Sequence, residues 1–389
     1  SSEAISYAVE LSKQYGGSSG FGLRQFAEHE NADFIEGLPD ESMRILRGLF
    51  AVAARRKSWD VAICHATPDV WHADGAFGWG RVQPCPPRGA KYRIGRTMYE
   101  TDRLPAAWVP RINKMDEVWV PSDFAANQFA SSGVERRKIV VVPEAVDVEL
   151  FDPARHDPLE LPGSSATSGE FRFLSVFKWE KRKGWDLLLK AFFEEFAVDD
   201  PVVLYVKTQA FHSDSDFDVK VRDFAAGLKT ARQPLARYHV LSSYLPLRTL
   251  PRLYRAAHAF VLPSRGEGWG RPHVEAMSMA LPVIATNWSG SQAFLSDACA
   301  LPLPIDGLSE VEEGQGPKGH KWAEPSVPHL RRLMRWVVDH RKEAAEIGQK
   351  AREEMVVKFS PEAIVREHVL PQLQRIATGL KGGQAGQEL

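Results

Sequence analysis

The chain has 389 residues with a formal net charge of −1, and hydrophobic and charged residues make up 44% and 25% of it. This length is long for one hydrophobic core and suits two soluble domains. The near-zero charge gives no basic surface of the kind that binds nucleic acid, and no apolar run approaches the ~20 residues of a membrane span. The three cysteines are too few and too scattered for a disulfide framework or a metal site, so a reducing, cytoplasmic location is expected.

The chain opens directly on a helical pattern that Ser2 caps, without an initiator methionine. A strand and a glycine loop normally precede such a helix in a domain of alternating strands and helices. We therefore expect a fragment or a processed chain in which the first strand of the N-terminal domain is missing.

Short apolar runs rich in β-branched residues alternate with helical patterns through the first 160 residues. The helical patterns lie at residues 41–55 and from Ser122, and the apolar runs read VAICH, YRIGRTMYE, EVWVPS and KIVVVP. This alternation predicts a parallel sheet wrapped by helices. Residues 156–169 are rich in proline, serine and glycine, which predicts a linker.

The alternation restarts at Phe171, with the runs FRFLSVF, VVLYVKT, YHVLS and AFVLPS and with helical patterns at 183–196, 218–229 and 248–257. The sequence thus predicts an α/β fold with a second parallel sheet. Glycines and acids at 307–321 indicate an exposed loop. We expect one domain at 1–160, another at 170–358, a last helix at 359–378 and a flexible tail at 379–389.

The run AFVLPS is followed by a glycine-rich turn and then by a helix that starts at Arg271. Gly266, Gly268 and Gly270 in the turn let a ligand approach the backbone closely. The unpaired N–H groups of the first helical turn suit an anion, above all a phosphate.

Two carboxylates bracket this phosphate site. Glu267 lies in the turn and Glu275 lies eight positions later, near the end of the first helical turn. Carboxylates accept hydrogen bonds from sugar hydroxyls, so the arrangement suggests a ligand with a sugar at each end, as in a nucleotide sugar. A loop with two solvated acids is the alternative.

The two glutamates stand in the stretch EGWGRPHVEAM, which PVIAT follows, and this pattern resembles the retaining glycosyltransferases of family 4, also called group 1. The resemblance implies the GT-B fold, two Rossmann-like domains that face each other across a cleft. It implies that Glu267 contacts the transferred sugar and Glu275 the ribose. The donor site would also include Gly268, Trp269, Gly270 and Arg271.

The stretch FKWEKRKG is similar to the family element G-R-L-x-x-x-K-G, in which two cations neutralise the leaving diphosphate. This resemblance assigns those roles to Lys178 and Lys183. Phe177 and Lys178 depart from the family's Gly and Arg, and lysine lacks the bidentate fork of arginine, so a different phosphate pose is expected. A solvated basic turn is the alternative.

His65 ends the run VAICH, which puts it at the carboxyl edge of the first sheet. It resembles the family's cleft histidine, which bonds to the transferred sugar. Glu100, Thr101 and Asp102 end the run YRIGRTMYE and are expected on the acceptor side, as hydroxyl ligands or as a base. A packed histidine and a capped helix start remain alternatives.

Two further stretches bear on the substrate. The aromatic stretch at 71–79, WHADGAFGW, suits a loop that selects the acceptor by stacking on sugars, although plain packing explains it as well. Asp214, Asp216 and Asp218 are spaced like the metal motif of another glycosyltransferase class. Their setting differs, and we interpret the run as a solvated loop without a metal.

The resemblance thus implies a retaining, metal-independent transfer of a sugar from a nucleoside diphosphate sugar to an acceptor hydroxyl, without a cofactor. A silent sugar-nucleotide or glycan binder, a phosphorylase and an epimerase are the alternatives, since one fold serves many functions. The sequence does not specify the base, the sugar or the acceptor.

Overall fold

A computed structural model describes residues 2–14, 20, 22–24, 38–72, 75–77, 80–82, 85–163, 169–209, 216–312, 314 and 316–385. The chain divides into two compact units. Unit 1 comprises Ser1–Tyr99, Arg103–Asp147 and Lys358–Leu389, and unit 2 comprises Glu100–Asp102 and Val148–Val357.

The strands in chain order are β1 (Val61–His65), β2 (Gly75–Phe77), β3 (Gly80–Val82), β4 (Tyr92–Arg96), β5 (Glu117–Val120), β6 (Ile139–Val141), β7 (Phe171–Lys178), β8 (Val202–Gln209), β9 (Tyr238–Leu241), β10 (Ala259–Leu262), β11 (Val283–Thr286), β12 (Leu301–Leu303), β13 (Ile305–Glu310) and β14 (Lys321–Pro325).

The α-helices are α1 (Ser2–Gln14), α2 (Asp40–Arg55), α3 (Val109–Ile112), α4 (Asp123–Ser131), α5 (Trp185–Glu195), α6 (Phe217–Gly227), α7 (Leu250–Arg255), α8 (Arg271–Ser278), α9 (Val327–Asp339), α10 (Arg341–Lys358), α11 (Pro361–Ile364) and α12 (Leu370–Ala385). A π-helical turn, Val365–Val369, joins the last two.

Unit 1 is built on a parallel sheet with the strand order β1-β4-β5-β6. Val118 and Val120 of β5 are fully buried and pack with Phe129 of α4 in the core. A helix was expected from Ser122, and Ser122 caps α4 by accepting a hydrogen bond from the N–H of Ala125. The carboxyl ends of these strands lie at one edge of the sheet, where polar side chains can gather.

Unit 2 is built on a longer parallel sheet with the strand order β12-β11-β10-β7-β8-β9. All residues of β10 and β11 are buried, as expected for central strands that are covered on both faces. Phe173 of β7 packs with Phe192 and Phe196 at the end of α5. These two sheets confirm the α/β class that the alternating runs predicted.

Three local expectations were wrong. The run YRIGRTMYE was expected to be a strand up to Glu100, but β4 ends at Arg96. The exposed loop expected at 307–321 begins and ends in an antiparallel hairpin, β13 with β14, in which the side chains of Trp322 and Ala323 are buried. The last helix, expected to end at residue 378, continues to Ala385.

A disulfide joins Cys64 of β1 to Cys85, which the cysteine count had not predicted, and Cys299 is free and buried. Two cysteines that are 21 positions apart in the sequence give no spacing signal of their own, and the fold brings them together. Disulfides are typical of oxidising compartments, so the cysteines no longer support the cytoplasmic location that was expected.

Among the residues that the structure describes, no helix combines the length and the apolar character needed to cross a membrane. Trp71, at the start of the aromatic stretch, is buried in the core of unit 1 with its ring against Gly95, which favours packing for this residue. The side chains of residues 73–79 lie outside the described part of the chain.

Candidate functional site

The glycine-rich turn of unit 2 has the local structure that the sequence predicted. Strand β10 ends at Leu262, the turn runs to Gly270, and α8 starts at Arg271 with Pro272 in its first turn. Gly270 has a φ of 116°, a left-handed conformation that side chains other than glycine rarely adopt. The helix N-terminus therefore directly follows Glu267, Gly268 and Trp269.

The segment after β11 holds this turn in place. The N–H of Glu267 donates to Ser289 Oγ at 2.9 Å, and the N–H of Gly290 donates to the Glu267 carbonyl at 3.0 Å. A Cβ on Gly290 would lie 2.1 Å from the Gly268 carbonyl oxygen. The backbone of the turn is therefore fixed by direct hydrogen bonds on its buried side.

Two cations contact the Glu267 carboxylate, which is only 5% exposed. Lys183 Nζ lies 2.7 Å and 2.9 Å from its two oxygens, and Arg182 Nη1 lies 3.3 Å from Oε2. Burial alone raises the pKa of Glu267, but Lys183 and Arg182 outweigh burial and lower this pKa to about 2. Glu267 is therefore an anion at neutral pH.

Both cations, Arg182 and Lys183, lie in the turn that follows β7. A 3₁₀ turn, Lys181–Lys183, is followed by Gly184 at a φ of 67° and then by α5. A Cβ on Gly184 would lie 2.0 Å from the carbonyl oxygen of Pro263, so the turn abuts the end of β10.

Arg182 is the residue that the sequence argument missed. Its Nη1 donates to the Gly266 carbonyl at 2.7 Å and its Nη2 to Glu180 Oε1 at 2.8 Å. Lys178 ends β7 with an exposed side chain. The pairing of Lys178 with Lys183 on a diphosphate stays a prediction.

Glu275 lies on α8 and is 6% exposed. Tyr254 of α7 donates its hydroxyl hydrogen to Glu275 Oε2 at 3.0 Å, and Arg271 Nη2 lies 3.6 Å from Oε1. Burial raises the pKa of Glu275, and these two neighbours only partly offset it. Trp269, by contrast, is buried edge-on against Phe294, with the ring centres 5.2 Å apart.

The residues expected on the acceptor side make mainly structural contacts. Thr101 Oγ1 lies 2.8 Å from His320 Nδ1, and Asp102 Oδ1 accepts from the N–H of Lys321 at 2.7 Å. Glu100 has a side chain that is 35% exposed and lies 3.9 Å from Arg182. The carboxylate of Glu100 thus lies near Arg182, one of the two cations that contact Glu267.

His65 ends β1 in unit 1, as predicted, and its side chain is 19% exposed. Its Nε2 lies 2.9 Å from Glu3 Oε2, a contact that the sequence gave no reason to expect. The contact of His65 with a transferred sugar stays a prediction.

The aspartate run has a structural explanation for one of its members. Asp216 caps α6 by accepting from the N–H of Val219, Asp218 is exposed, and Asp214 lies outside the described residues. Across the described part of the chain, no three His, Cys, Asp or Glu side chains are grouped so that they could hold a metal ion.

Comparison with known proteins connects this site to a family. The sequence model for "Glycosyl transferases group 1" matches residues 170–302, and the model for "Family 4 Glycosyltransferase in conflict systems" matches residues 246–367. A D-inositol 3-phosphate glycosyltransferase of Geodermatophilus obscurus is 28% identical over 80% of this chain and 63% of that protein. The chain spans between 18% and 63% of the length of the curated relatives it matches.

Two solved structures show the same fold. Sucrose-phosphate synthase from Thermosynechococcus elongatus superposes with a TM-score of 0.62 at 15% identity, over 96% of this chain and 92% of that one. Anabaena Alr3699/HepE in complex with UDP and glucose gives a TM-score of 0.54 at 15% identity, over 75% and 72% of the two chains.

Proposed function

The chain belongs to the group 1 glycosyltransferases of family 4, with the GT-B fold, and from this membership we propose that it transfers a sugar from a nucleoside diphosphate sugar to an acceptor hydroxyl. We further propose that the transfer retains the configuration of the anomeric carbon and needs no metal ion or cofactor. The observation that carries the proposal is the buried Glu267–Lys183 pair beside the N-terminus of α8.

Each part of the donor has a candidate partner. The diphosphate would lie at the N–H groups of α8 with Lys183 as its cation, because a helix N-terminus and an ammonium both favour negative charge. Glu275 would accept the ribose hydroxyls, and Glu267 would accept a hydroxyl of the transferred sugar. The complex of the Anabaena neighbour with UDP and glucose supports a uridine nucleotide as the first donor to test.

The proposed step replaces one bond of the anomeric carbon by another and moves one proton from the acceptor to the donor. The bond between the anomeric carbon and the phosphate oxygen breaks, and the acceptor oxygen bonds to the same face of that carbon. The acceptor's proton passes to the departing phosphate oxygen. Negative charge grows on the diphosphate during this step, so the helix N-terminus and Lys183 stabilise the transition state where the charge develops.

Arg182 has a supporting part in this proposal. It is held by the Gly266 carbonyl and by Glu180, so it fixes the turn and adds positive charge beside Glu267. Burial by itself lowers the pKa of this guanidinium, but Glu100 and Glu267 outweigh burial and raise the pKa above its usual value. Arg182 therefore stays charged throughout the accessible pH range. Assignment of unit 1 to the acceptor and of unit 2 to the nucleotide sugar is part of the proposal.

The first experiment is a thermal-shift screen of nucleoside diphosphate sugars, followed by turnover of the stabilising donor. A ligand at a hundred times its dissociation constant adds about 2.7 kcal/mol of stability. Turnover is then measured with excess chelator and is expected to be unchanged. Activity that is lost on chelation and restored by Mn²⁺ would contradict metal independence, and binding without turnover of any donor would favour the silent binder.

A further inference from the structure

The two buried carboxylates of unit 2, Glu267 and Glu275, have different surroundings. Lys183 and Arg182 contact Glu267, whereas Arg271 Nη2 lies 3.6 Å from Glu275 Oε1 and belongs to a side chain that is 36% exposed. An ion pair of this kind contributes little. Burial therefore prevails at Glu275 and raises its pKa, whereas at Glu267 the cations prevail and lower the pKa. A buried carboxylate with a weak cation needs another hydrogen-bond donor.

Tyr254 of α7 is that donor. Its hydroxyl donates to Glu275 Oε2 at 3.0 Å, and the tyrosine is fully buried. Its ring packs edge-on against Phe151 and at a tilt against Phe260 of β10, with ring centres 6.0 Å apart in both pairs. Burial and Glu275 raise the pKa of Tyr254 well above its usual value, so the hydroxyl keeps its hydrogen. The core of unit 2 thus fixes a donor beside this carboxylate.

The two oxygens of Glu275 face different surroundings. Oε2 is directed to Tyr254 in the interior, and Oε1 lies on the side of Arg271, the first residue of α8. A hydrogen bond to the ionised form of a carboxylate favours that form, so Tyr254 counteracts the effect of burial on the pKa of Glu275. The ionised form only accepts hydrogen bonds, which is what sugar hydroxyls require of a partner.

We propose that Tyr254 is a positioning residue for Glu275, whose carboxylate it fixes so that Oε1 accepts hydrogen bonds from the ribose hydroxyls of the donor. The inference rests on the proposed function in one step, that Glu275 binds the ribose. Tyr254 touches no atom of the donor in this scheme and acts through Glu275. Its effect is selectivity for nucleotides that carry ribose hydroxyls, because a sugar without them gains nothing from an oriented carboxylate.

The first test compares UDP with 2′,3′-dideoxy-UDP by isothermal titration. The two ligands share the base and the diphosphate, so the ratio of their dissociation constants isolates the ribose hydroxyls from contacts with the phosphates. We expect the wild type to bind UDP about tenfold to a hundredfold more tightly, the range for a hydrogen bond to a charged group. Tyr254→Phe should lower this ratio by about fivefold and leave the affinity for 2′,3′-dideoxy-UDP unchanged. ADP and GDP, with their dideoxy forms, take the place of the uridine pair if UDP does not bind.

Two further variants separate positioning from a general loss of stability. Tyr205→Phe is the matched control, because it removes the hydroxyl of an equally buried tyrosine that donates to the Pro162 carbonyl at 2.8 Å. It should leave the ratio unchanged. In the background of Glu275→Gln, Tyr254→Phe should have little further effect on the ratio, since the carboxylate through which it acts is gone. A merely structural role of Tyr254 would weaken both ligands to the same degree.

The second test follows the titration of Glu275 in the ligand-free protein. Carbon spectra of the full chain, labelled with ¹³C at the glutamate carboxyl carbon, report protonation, and Glu275→Gln identifies the Glu275 signal by its loss. Among the described residues, Arg271 and Tyr254 are the charged and titratable groups that act on this carboxylate. Loss of the hydrogen bond in Tyr254→Phe should raise the pKa of Glu275 and move its titration to higher pH. The preference of the wild type for UDP should fall as the pH drops through the Glu275 midpoint.

An unchanged ratio in Tyr254→Phe would overturn the proposal, and so would equal losses for both ligands or an unmoved Glu275 titration. If Tyr254→Phe does not fold, 3-fluorotyrosine in place of Tyr254 keeps the hydroxyl and makes it a stronger donor. The Glu275 titration should then move to lower pH, and an unmoved titration overturns the proposal. A wild type that binds no nucleoside diphosphate overturns the proposed function and the ribose contact together. Nucleotide binding without a change in the ratio overturns the role of Tyr254 alone.

Discussion

Glu267 and Lys183 are the two residues on which the proposed chemistry most depends. Their ion pair is buried, with Nζ 2.7 Å from the nearer oxygen, and removal of either partner unbalances a buried group of charges in which Arg182 also contacts Glu267. Glu267 lies in the glycine turn before α8 and Glu275 lies within that helix, so their effects should separate. We expect the first to act on the sugar and the second on the nucleotide.

Glu267→Gln tests the role of the first carboxylate. The amide keeps the shape of the side chain and loses the anion that would accept a sugar hydroxyl as positive charge develops on the ring. Turnover should fall by tenfold or more, about 1.4 kcal/mol, while nucleoside diphosphate binds the variant at least as tightly as the wild type, because the neutral amide competes less for Lys183. If the steady-state rate of the purified, folded variant lies within about threefold of the wild-type rate, Glu267 has no part in the chemical step.

Lys183→Ala and Lys178→Ala distinguish two possible cation pairs. The family resemblance pairs Lys178 with Lys183, whereas the structure brings Lys183 and Arg182 together on Glu267. We expect Lys183→Ala to weaken nucleoside diphosphate binding by about 1.5–3 kcal/mol, because it removes a hydrogen bond to a charged group. Lys178→Ala should cause a similar loss if the pair that the resemblance implies binds the diphosphate, and a loss of less than about 0.5 kcal/mol if Arg182 takes the place of Lys178. Isothermal titration measures both affinities. Equal losses of affinity in the two variants would support the pair of Lys178 and Lys183 that the family resemblance implies.

At the scale of single elements, the turn between β7 and α5 decides which cations reach the site. Its 3₁₀ geometry and the left-handed Gly184 direct Arg182 and Lys183 toward the end of β10. The sequence shows only a run of cations there, EKRKG, in which any two could have been chosen. The contact of the turn with the end of β10 fixes its backbone and so decides which cations face Glu267. No local sequence pattern indicates such a contact.

Gly184→Ala tests how much the stability of the protein depends on the conformation of this turn. The new Cβ meets both a left-handed φ and the Pro263 carbonyl, whereas Gly169→Ala, at a φ of 63° with open space around it, meets only the first. The control should cost about 1 kcal/mol for its backbone conformation alone. Thermal unfolding should show a larger loss for Gly184→Ala, and equal losses would mean that the turn moves away from Pro263 without cost.

Elements with strong local signals were predicted correctly from sequence. Helix α4, the buried strand β10 and the turn into α8 follow from helical patterns, apolar runs and the positions of glycine and proline. The hairpin of β13 and β14 was missed because its glycines and acids resemble a loop, while the pairing that forms it is not local. The contact of Glu3 with His65 was missed for the same reason, since 62 positions separate residues 3 and 65.

At the scale of the whole molecule, the Cys64–Cys85 disulfide is open to a simple test. Denatured without reductant, the chain should show one reactive thiol, that of Cys299, and three after reduction. Closing a loop of this size adds roughly 3 kcal/mol in the chain-entropy account, so reduction should also lower the thermal midpoint. Three thiols in the unreduced protein would show that the bond does not form.

Under the proposed function, the ion pair of Lys183 with Glu267 makes donor binding an exchange of anions. A phosphate oxygen that takes Lys183 displaces the carboxylate, and the displaced Glu267 then has an oxygen available for the sugar. Binding of the diphosphate and release of Glu267 for the sugar would thus occur together. A free monosaccharide has no phosphate to bind Lys183 and would not release Glu267. In the proposed enzyme, Glu267 thus competes with the donor for Lys183, and the diphosphate end of the donor would replace it.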